Sequence, residues 1–205
     1  MRVSLVQGGE IATLQHDSLV QNIVFSPDGK NVAIALSDGT AKLWSLEGLK
    51  IPTLKHNAQI NNIVFSPDEK TVATTSSDST AKLWNLQKGE IVTLKHDGVV
   101  NHAVFSPDGK TIATTTSSDK TVKLWNLQGQ LIATLKHDDG VSKVIFKPDG
   151  KSVLTTSYEN AKLWNLKGQE IATFKNKHLD KAVFSLMVRR LLLLQVIVLQ
   201  ILADL

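Results

Sequence analysis

The chain contains no cysteine. This absence excludes disulfide bonds and metal sites built on thiolates, and it fits a reducing compartment, so we expect a cytoplasmic protein. The first five residues show no basic stretch followed by an apolar core and a small-residue cleavage site. We therefore expect no secretory signal.

The sequence also lacks a strong charge of one sign, because its formal net charge is only +4. Its lysines recur at fixed steps with acidic neighbours, whereas a nucleic-acid surface clusters Lys and Arg on one face beside stacking aromatics. Nucleic acid is therefore not an expected partner. The regular lysines fit solvated strands, where they protect exposed sheet edges. They are Lys42, Lys82, Lys123 and Lys162, and Lys55, Lys95, Lys136 and Lys175.

An internal repeat is the main feature of the sequence. The segment VFSPDGK begins at Val24 and returns, with small changes, at Val64, Val104 and Ile145. A second marker, KLWSL or KLWNL, places four tryptophans at separations of 40, 41 and 39 residues, and histidines keep the same step. Three markers with one period establish a repeat array. These markers are Trp44, Trp84, Trp125 and Trp164, and His16, His56, His96 and His137.

Each repeat reads as four short strands. In the second unit, β-branched and aromatic runs are separated by Pro67-Asp68, by Ser77-Asp78 and by the turn at Gly89, all of which are turn-forming sequences. Four strands joined by hairpin turns in 40 residues predict one antiparallel sheet. Helices are disfavoured because Pro, Asp and Gly interrupt every segment. The predicted strands of this unit are 62–66, 71–76, 80–86 and 90–95.

Such sheets have apolar residues on both faces, so each one needs a neighbour on both sides. Stacking similar twisted sheets around an axis satisfies this need, which predicts an all-β propeller of four-stranded antiparallel blades, open if incomplete. The predicted propeller domain spans 1–184, with an outer strand at 10–15 and a partial fifth unit at 180–184. Its four full units lie at about 20–55, 60–95, 100–136 and 140–175.

The SPDG hairpin, the Ser-Asp-Gly-Thr type of turn and the Leu-Trp strand together resemble the WD-repeat family over about residues 10–184. The signature dipeptide is altered, because Ser or Asn follows each tryptophan where the family often has Asp. The resemblance implies a buried network in which a loop His, a strand Ser or Thr, a turn Asp and the Trp hold each loop to its sheet. The candidate network residues are His16, Asp38, Trp44, His56, Thr74, Asp78, Trp84, His96, Thr115, Asp119, Trp125, His137 and Trp164.

The same residue types invite a catalytic interpretation, since a hydroxyl, a base and an acid form a nucleophilic triad. An enzyme needs one active site, however, and this set recurs in successive units, so we expect structure and no enzyme. His-Asp pairs lack further ligands at consistent spacing, and no phosphate-binding GxxxxGK loop occurs, so no metal or cofactor is expected. The network is incomplete in two units: Ile34 replaces the hydroxyl in the first, and Tyr158 replaces the acid in the fourth.

The last twenty residues, 186–205, differ from the repeat. Their apolar stretch is about 15 residues and contains Gln195 and Gln200, whereas a membrane-spanning helix needs about 20 apolar residues. We interpret the apolar tail, taken as 185–205, as a frameshifted fifth repeat. When SPDGKTVATTSSDSTA is written in ordinary codons and one C is removed from the proline codon, translation gives residues 185–200 of this chain without a mismatch.

The resemblance implies a non-catalytic scaffold, or a sensing or docking module, that binds other proteins on the face with the inter-blade loops and the central opening. We expect the chain to be a truncated part of a larger repeat array. Two alternatives remain: a hydrolase or lyase with a site in the propeller channel, and a tail-anchored membrane protein. Uncovered blade faces would also favour self-association. Residues that vary among the units are the candidate partner contacts, and they are Asn57, Gln59, His102, Lys120, Tyr158 and Glu159.

Overall fold

Only strands, turns and bends occur in the part of the chain that the structure, a computed structural model, describes. That part comprises residues 2–6, 10–15, 17–45, 53–89, 91–116, 118–175, 182–184 and 191–193. The prediction of an all-β chain of four-stranded antiparallel sheets is confirmed within these ranges. No helix long and apolar enough to cross a bilayer occurs in them.

The strands follow the repeat. A hairpin of β1 (Arg2–Val6) and β2 (Glu10–Gln15) comes first. The first sheet contains β3 (Val20–Phe25), β4 (Asn31–Leu36), β5 (Thr40–Ser45) and β6 (Leu54–Lys55). The second contains β7 (Ile60–Phe65), β8 (Thr71–Ser76), β9 (Thr80–Asn85) and β10 (Ile91–Lys95).

The third sheet contains β11 (Val100–Phe105), β12 (Thr111–Thr116), β13 (Thr121–Asn126) and β14 (Leu131–Lys136). The fourth contains β15 (Val141–Phe146), β16 (Ser152–Ser157), β17 (Asn160–Asn165) and β18 (Glu170–Lys175). A hairpin of β19 (Ala182–Phe184) and β20 (Leu191–Leu193) follows. In each four-stranded sheet the strands are hydrogen-bonded in chain order, so every connection within a sheet is a hairpin.

The turn between the first and second strands shows why each Pro-Asp segment ends a strand. The Ser26 hydroxyl donates to Asp28 Oδ1 at 2.6 Å, and the Lys30 amide donates to the same oxygen at 2.9 Å. The chain then reverses through Gly29, whose φ of 73° suits glycine. The same Ser-to-Asp hydrogen bond recurs at 2.6 Å in the second and third sheets, from Ser66 and from Ser106.

The described chain forms two compact halves, Met1–Ala103 and Val104–Leu205. In the first half, Ile63, Phe65 and Trp84 of the second sheet belong to one buried cluster with residues of the first sheet. These first-sheet residues are Ala33, Ala35, Ala41, Leu43 and Leu54. The second sheet thus covers one face of the first sheet, as the two apolar faces predict.

The second half repeats this packing. Val144, Phe146 and Trp164 of the fourth sheet share a buried cluster with residues of the third. The third-sheet members correspond to the small and aliphatic residues of the first sheet in the other cluster, and they are Ala113, Val122, Leu124 and Leu135. The repeat therefore specifies the packing between sheets as well as the strands within them.

The sequence predicts only one strand, at 10–15, before the first unit, whereas the structure has two, β1 and β2. In the structure this strand pairs with β1, with Arg2 opposite Gln15 and an irregularity between Leu5 and Val6. The pairing of β13 with β14 has the same register, with Thr121 opposite Lys136 and an irregularity one residue before the strand's tryptophan. By its pairing, the β1–β2 hairpin is thus the third and fourth strands of a repeat.

The β19–β20 hairpin has the other register. Phe184 lies opposite Leu191 and Ala182 opposite Leu193. In the second sheet, Phe65 of the first strand lies opposite Val72 of the second, which is the same seven-residue step. By its pairing, the β19–β20 hairpin is therefore the first and second strands of a repeat. The rest of 185–205 lies outside the described residues.

Candidate interaction edge and its hydrogen-bond network

One end of each sheet carries the turn between its second and third strands, and we call this end the loop edge. In the first half, the loop that joins the first sheet to the second is tied on both sides here. The His56 amide donates to the Gly39 carbonyl at 2.8 Å, and the Ser77 amide donates to the Gln59 carbonyl at 3.0 Å. The loop therefore bridges the turns of two successive sheets.

A chain of side-chain hydrogen bonds lies behind this loop in the second sheet. The Trp84 indole donates to Thr74 Oγ1 at 2.8 Å, and Thr74 Oγ1 lies 2.7 Å from His56 Nε2. His56 Nδ1 lies 3.0 Å from Asp78 Oδ2. A neutral imidazole with its proton on Nδ1 satisfies every one of these contacts, since it accepts from threonine and donates to the carboxylate.

Asp78 collects the ends of the loop and the turn. Its Oδ2 accepts the Asn57 amide at 2.9 Å, and its Oδ1 accepts the Thr80 amide at 3.0 Å and the Thr80 hydroxyl at 2.6 Å. Burial raises the pKa of Asp78, but hydrogen bonds from Thr80 and Asn57 and the nearby His56 outweigh it and bring the pKa to about 2. Burial lowers the pKa of His56, against the opposing effect of Asp78. At neutral pH the pair is thus a carboxylate and a neutral imidazole.

The third sheet corrects one assignment. The hydroxyl bound by the Trp125 indole, at 2.9 Å, belongs to Thr114 and not to the predicted Thr115. The extra residue of this repeat lies after the second strand, in the turn before Asp119, so Thr114 keeps the place of Thr74 in the strand pairing. Thr115 Oγ1 is buried and has no hydrogen-bond partner among the described residues.

Asp119 binds its own turn in the third sheet. Its Oδ1 accepts the Thr121 amide at 3.0 Å, the Thr121 hydroxyl at 2.7 Å and the Thr116 hydroxyl. Burial raises the pKa of Asp119, and the hydrogen bonds from Thr116 and Thr121 outweigh it, so the pKa lies below its usual value. His96, in the loop that follows the second sheet, is buried, and its backbone amide donates to the Ser79 carbonyl at 3.0 Å.

The fourth sheet keeps the histidine and lacks the acid. The Trp164 indole donates to Thr155 Oγ1 at 2.7 Å, and that oxygen lies 2.8 Å from His137 Nε2. Where the second sheet has Asp78, the shortened turn presents Tyr158, which is 60% exposed. Burial, and then the charge of Lys162, lower the pKa of His137 to about 4, and the opposing effects of Asn160, Asp138 and Glu170 are smaller.

The first sheet lacks the hydroxyl, as the sequence indicates. Ile34 occupies that place, fully buried with Val32 and Leu36. Asp38 still binds its turn through Thr40, and the Ser18 hydroxyl donates to its Oδ2 at 2.5 Å. Trp44 is 38% exposed, whereas the other three repeat tryptophans are buried. The predicted partner His16 lies outside the described residues.

This geometry holds loops and does not present a nucleophile. The Thr74 hydroxyl is wholly buried and sits between the indole and the imidazole, so its proton and one acceptor site are both used. Nucleophilic catalysis requires a hydroxyl that a substrate can reach. No group of three or more acidic, His or Cys side chains within the described ranges is arranged to hold a metal ion.

The candidate partner residues fall in two places. Asn57, Lys120, Tyr158 and Glu159 are exposed at the loop edges of their sheets, and Gln59 is half-buried in the same kind of loop. Lys120 has a left-handed φ of 57° and donates through Nζ to the Asp138 carbonyl at 2.6 Å. His102 differs from these, because it is an exposed residue of a first strand, β11.

Three polar residues that sequence reasoning missed tie the second sheet to β11. Asn61 Nδ2 donates to the Val100 carbonyl at 2.9 Å, and Thr75 Oγ1 donates to the Asn101 carbonyl at 3.2 Å. Asn62 Oδ1 accepts the Ala103 amide at 3.2 Å. Asn61-Asn62 at the start of a β-branched strand, where β-propensity disfavours asparagine, was the available signal.

Comparison with known families agrees with this architecture. A family model described as the NWD2 C-terminal beta-propeller matches residues 52–186. A second model, described as WD domain, G-beta repeat, matches residues 8–45. No curated protein matches the chain. Together the two family matches cover β2, the four sheets and the start of the tail.

Proposed function

Because the chain belongs to the NWD2 C-terminal β-propeller family of WD repeats, we propose that it is a non-catalytic, cytoplasmic docking module for other proteins. WD-repeat propellers are in general protein-interaction scaffolds. The finer proposal is that partners bind at the loop edges of the sheets. The observation that carries it is a contrast between two sets of residues there. Polar groups that recur from repeat to repeat are buried in contacts that hold the loops, while residues that vary among the repeats are exposed, namely Asn57, Lys120, Tyr158 and Glu159.

Tyr158 is the proposed anchor. It occupies the place of the acid of the second and third sheets. It is 60% exposed beside the exposed Glu159. Tyrosine is enriched among residues that dominate binding energy, because a large rigid ring carries a polar end. The turn beneath it is held by the buried Ser157, whose hydroxyl donates to Asn160 Oδ1 at 3.1 Å.

A rigid platform lowers the cost of binding, because fewer loop conformations are lost on association. In the second half, the His137 amide donates to the Lys120 carbonyl at 3.0 Å, while Lys120 Nζ binds the Asp138 carbonyl. The loop that enters the fourth sheet is thus held by its own His137 amide and by the side chain of Lys120 from the third sheet. Lys120 is therefore held before a partner arrives.

The test is site-specific photo-crosslinking in extract of cells that express the chain. A photoreactive residue replaces Tyr158 in one sample, Lys120 in a second and Gln128 in a matched control. Gln128 is exposed in the turn between the third and fourth strands of the third sheet, at the end away from the loop edge. We expect the same protein to be captured from position 158 and from position 120. Excess unlabelled chain should compete, and excess Tyr158→Ala chain should not. Equal capture from position 128 would contradict the proposal.

We also propose that residues 186–200 derive from a fifth repeat by loss of one base. The reverse translation supports this, as does the β19–β20 register, which is that of a repeat's first two strands. Sequencing of the gene tests it: insertion of one base near codon 186 should restore repeat sequence over the next sixteen codons. If the restored frame encodes no repeat in the native gene, the idea is wrong.

A further inference from the structure

The first sheet exposes an apolar patch that the other sheets bury. Ile23 is 41% exposed and Phe25 is 50% exposed, and Trp44 beside them is 38% exposed. Their counterparts in the second sheet, Ile63, Phe65 and Trp84, are no more than 9% exposed. We call Leu19, Ile23, Phe25 and Trp44 the β3 patch. Exposed groups of large apolar side chains mark interaction sites.

The packing of the second sheet shows which strands should cover this patch. Strand β7, which carries Ile63 and Phe65, packs mainly against β3 and β4, the first and second strands of the sheet before it. Strand β3 would therefore be covered by the first and second strands of a preceding sheet. The β1–β2 hairpin has the register of third and fourth strands, and it forms a two-stranded sheet. The β1–β2 sheet therefore lacks the first and second strands, which are the strands that would cover β3.

The chain carries a hairpin of the missing kind. The β19–β20 pair has the register of first and second strands, and it also forms a two-stranded sheet of its own. The two hairpins are thus complementary halves of one repeat. Each hairpin therefore has an edge at which the other half of a repeat would pair.

We propose that the β19–β20 hairpin of a second copy of this chain completes the sheet begun by β1–β2 and covers the β3 patch. Strand β20 adds to the free edge of β1 in antiparallel pairing, which satisfies backbone groups that are otherwise open to solvent. The repeat sets the register. Since Thr74 lies opposite Lys82 in the second sheet, Leu193 of one copy lies opposite Ser4 of the other.

Disulfide trapping tests the register, and the chain supplies a clean background because it has no cysteine. Ser4→Cys and Leu193→Cys are placed on two separately tagged full-length chains, which are mixed and mildly oxidised. Residues directly opposite in a sheet are close enough for a disulfide. We expect a covalent dimer that carries both tags. Val3→Cys with Leu193→Cys is the off-register control and should cross-link at least tenfold less.

Two outcomes would overturn the proposal. Equal cross-linking by the off-register pair would mean unspecific contact. A chain that carries both Ser4→Cys and Leu193→Cys and forms only a monomeric internal disulfide would mean that each copy completes itself. Trapped dimer from the doubly substituted chain, with its two halves exchanged between copies, supports the proposal.

Light scattering of the full-length chain tests the patch. Phe25→Glu should raise the dissociation constant for self-association at least tenfold, because it places a charge where apolar strands should pack. Ile91→Glu is the matched control, since Ile91 is 54% exposed on an outer strand of the second sheet. Circular dichroism checks that both variants keep their strands. A chain that is monomeric at all concentrations, or a Phe25→Glu chain that associates like the parent, would overturn the proposal.

Discussion

The first and second sheets have the same strand order and similar sequences, yet they hold their tryptophans differently. Trp84 is buried and donates to Thr74. Trp44 is 38% exposed and belongs to a sheet in which Ile34 takes the place of this threonine. One substitution in the second strand, Thr to Ile, removes the group that joins His, Trp and turn. Without that hydroxyl, the first sheet cannot form the indole-to-threonine hydrogen bond that the second sheet has.

The largest effect is expected at a turn that differs between these sheets. A Cβ on Gly39 would lie 2.8 Å from the Ala58 carbonyl oxygen and 2.9 Å from that of His56, and Gly39 has a φ of 82°. Ser79 holds the same turn position in the second sheet with a φ of 66° and a side chain already present. We expect Gly39→Ala to lower the free energy of unfolding by about 2–5 kcal/mol in urea melts. Ser79→Ala is the control, and a comparable loss there would contradict the crowding at Gly39.

Thr74→Val tests the hydroxyl itself. The change keeps the shape of the side chain but leaves the Trp84 indole nitrogen and His56 Nε2 buried without their partner. We expect a loss of about 2–4 kcal/mol in urea melts, because unpaired buried polar groups are costly. Thr114→Val should weaken the third sheet in the same direction. Ile34→Val in the first sheet removes only a methylene and should cost about 1 kcal/mol. Equal losses at positions 34 and 74 would remove the distinction between the sheets.

Acid should weaken the sheets that bury a neutral histidine. The pKa of His137 is about 4 in the folded chain, against 6.5 for a free histidine. Since the folded value is the lower one, the unfolded chain takes up the proton first as pH falls. The stability is therefore complete above pH 6.5 and declines towards pH 4, by about 2–3 kcal/mol. The lowered pKa of His56 acts in the same direction.

Urea melts between pH 7 and pH 4 measure this dependence. His137→Gln should make the curve flatter over that range, because the titrating group is gone. A variant with the parent's slope would show that other groups cause the acid sensitivity.

A smaller effect is expected from the turn acids. Asp78→Ala and Asp119→Ala should each cost about 1–3 kcal/mol, because each removes a partly buried carboxylate that accepts several hydrogen bonds. Tyr158→Ala, at the corresponding turn of the fourth sheet, should change stability by less than about 0.5 kcal/mol, since the ring is mostly exposed. Equal losses at the three sites in denaturant melts would contradict the different roles given to these turns.

The sequence predicts the strands well because turn residues punctuate each repeat. In the second unit the predicted second strand has the bounds Thr71–Ser76 seen in the structure, and the other strands shift by one or two residues. The choice of Thr115 failed for a simple reason. Three successive threonines offered the hydroxyl, and only the strand pairing shows that the inserted residue follows them.

Two further features needed the structure. The register of the β1–β2 hairpin depends on an irregularity after Leu5, which no turn residue announces. The asparagine contacts to β11 depend on the stacking of sheets, which the period predicts only in outline. The hydrogen bond from Ser18 to Asp38 joins residues that are twenty positions apart in the sequence. Long-range contacts of this kind are set by packing and not by local sequence.

The order of the strands has a consequence for how the protein is made. Every strand of the four-stranded sheets pairs with its neighbours in sequence, so most contacts within a sheet span fewer than about twenty residues. Short-range contacts close quickly because little chain entropy is lost. Each sheet can therefore form soon after its last strand leaves the ribosome, and the next sheet finds a finished surface. The two terminal hairpins lack this advantage, since neither has its complementary half close by in sequence, and we expect them to be the last parts to become protected from hydrogen exchange.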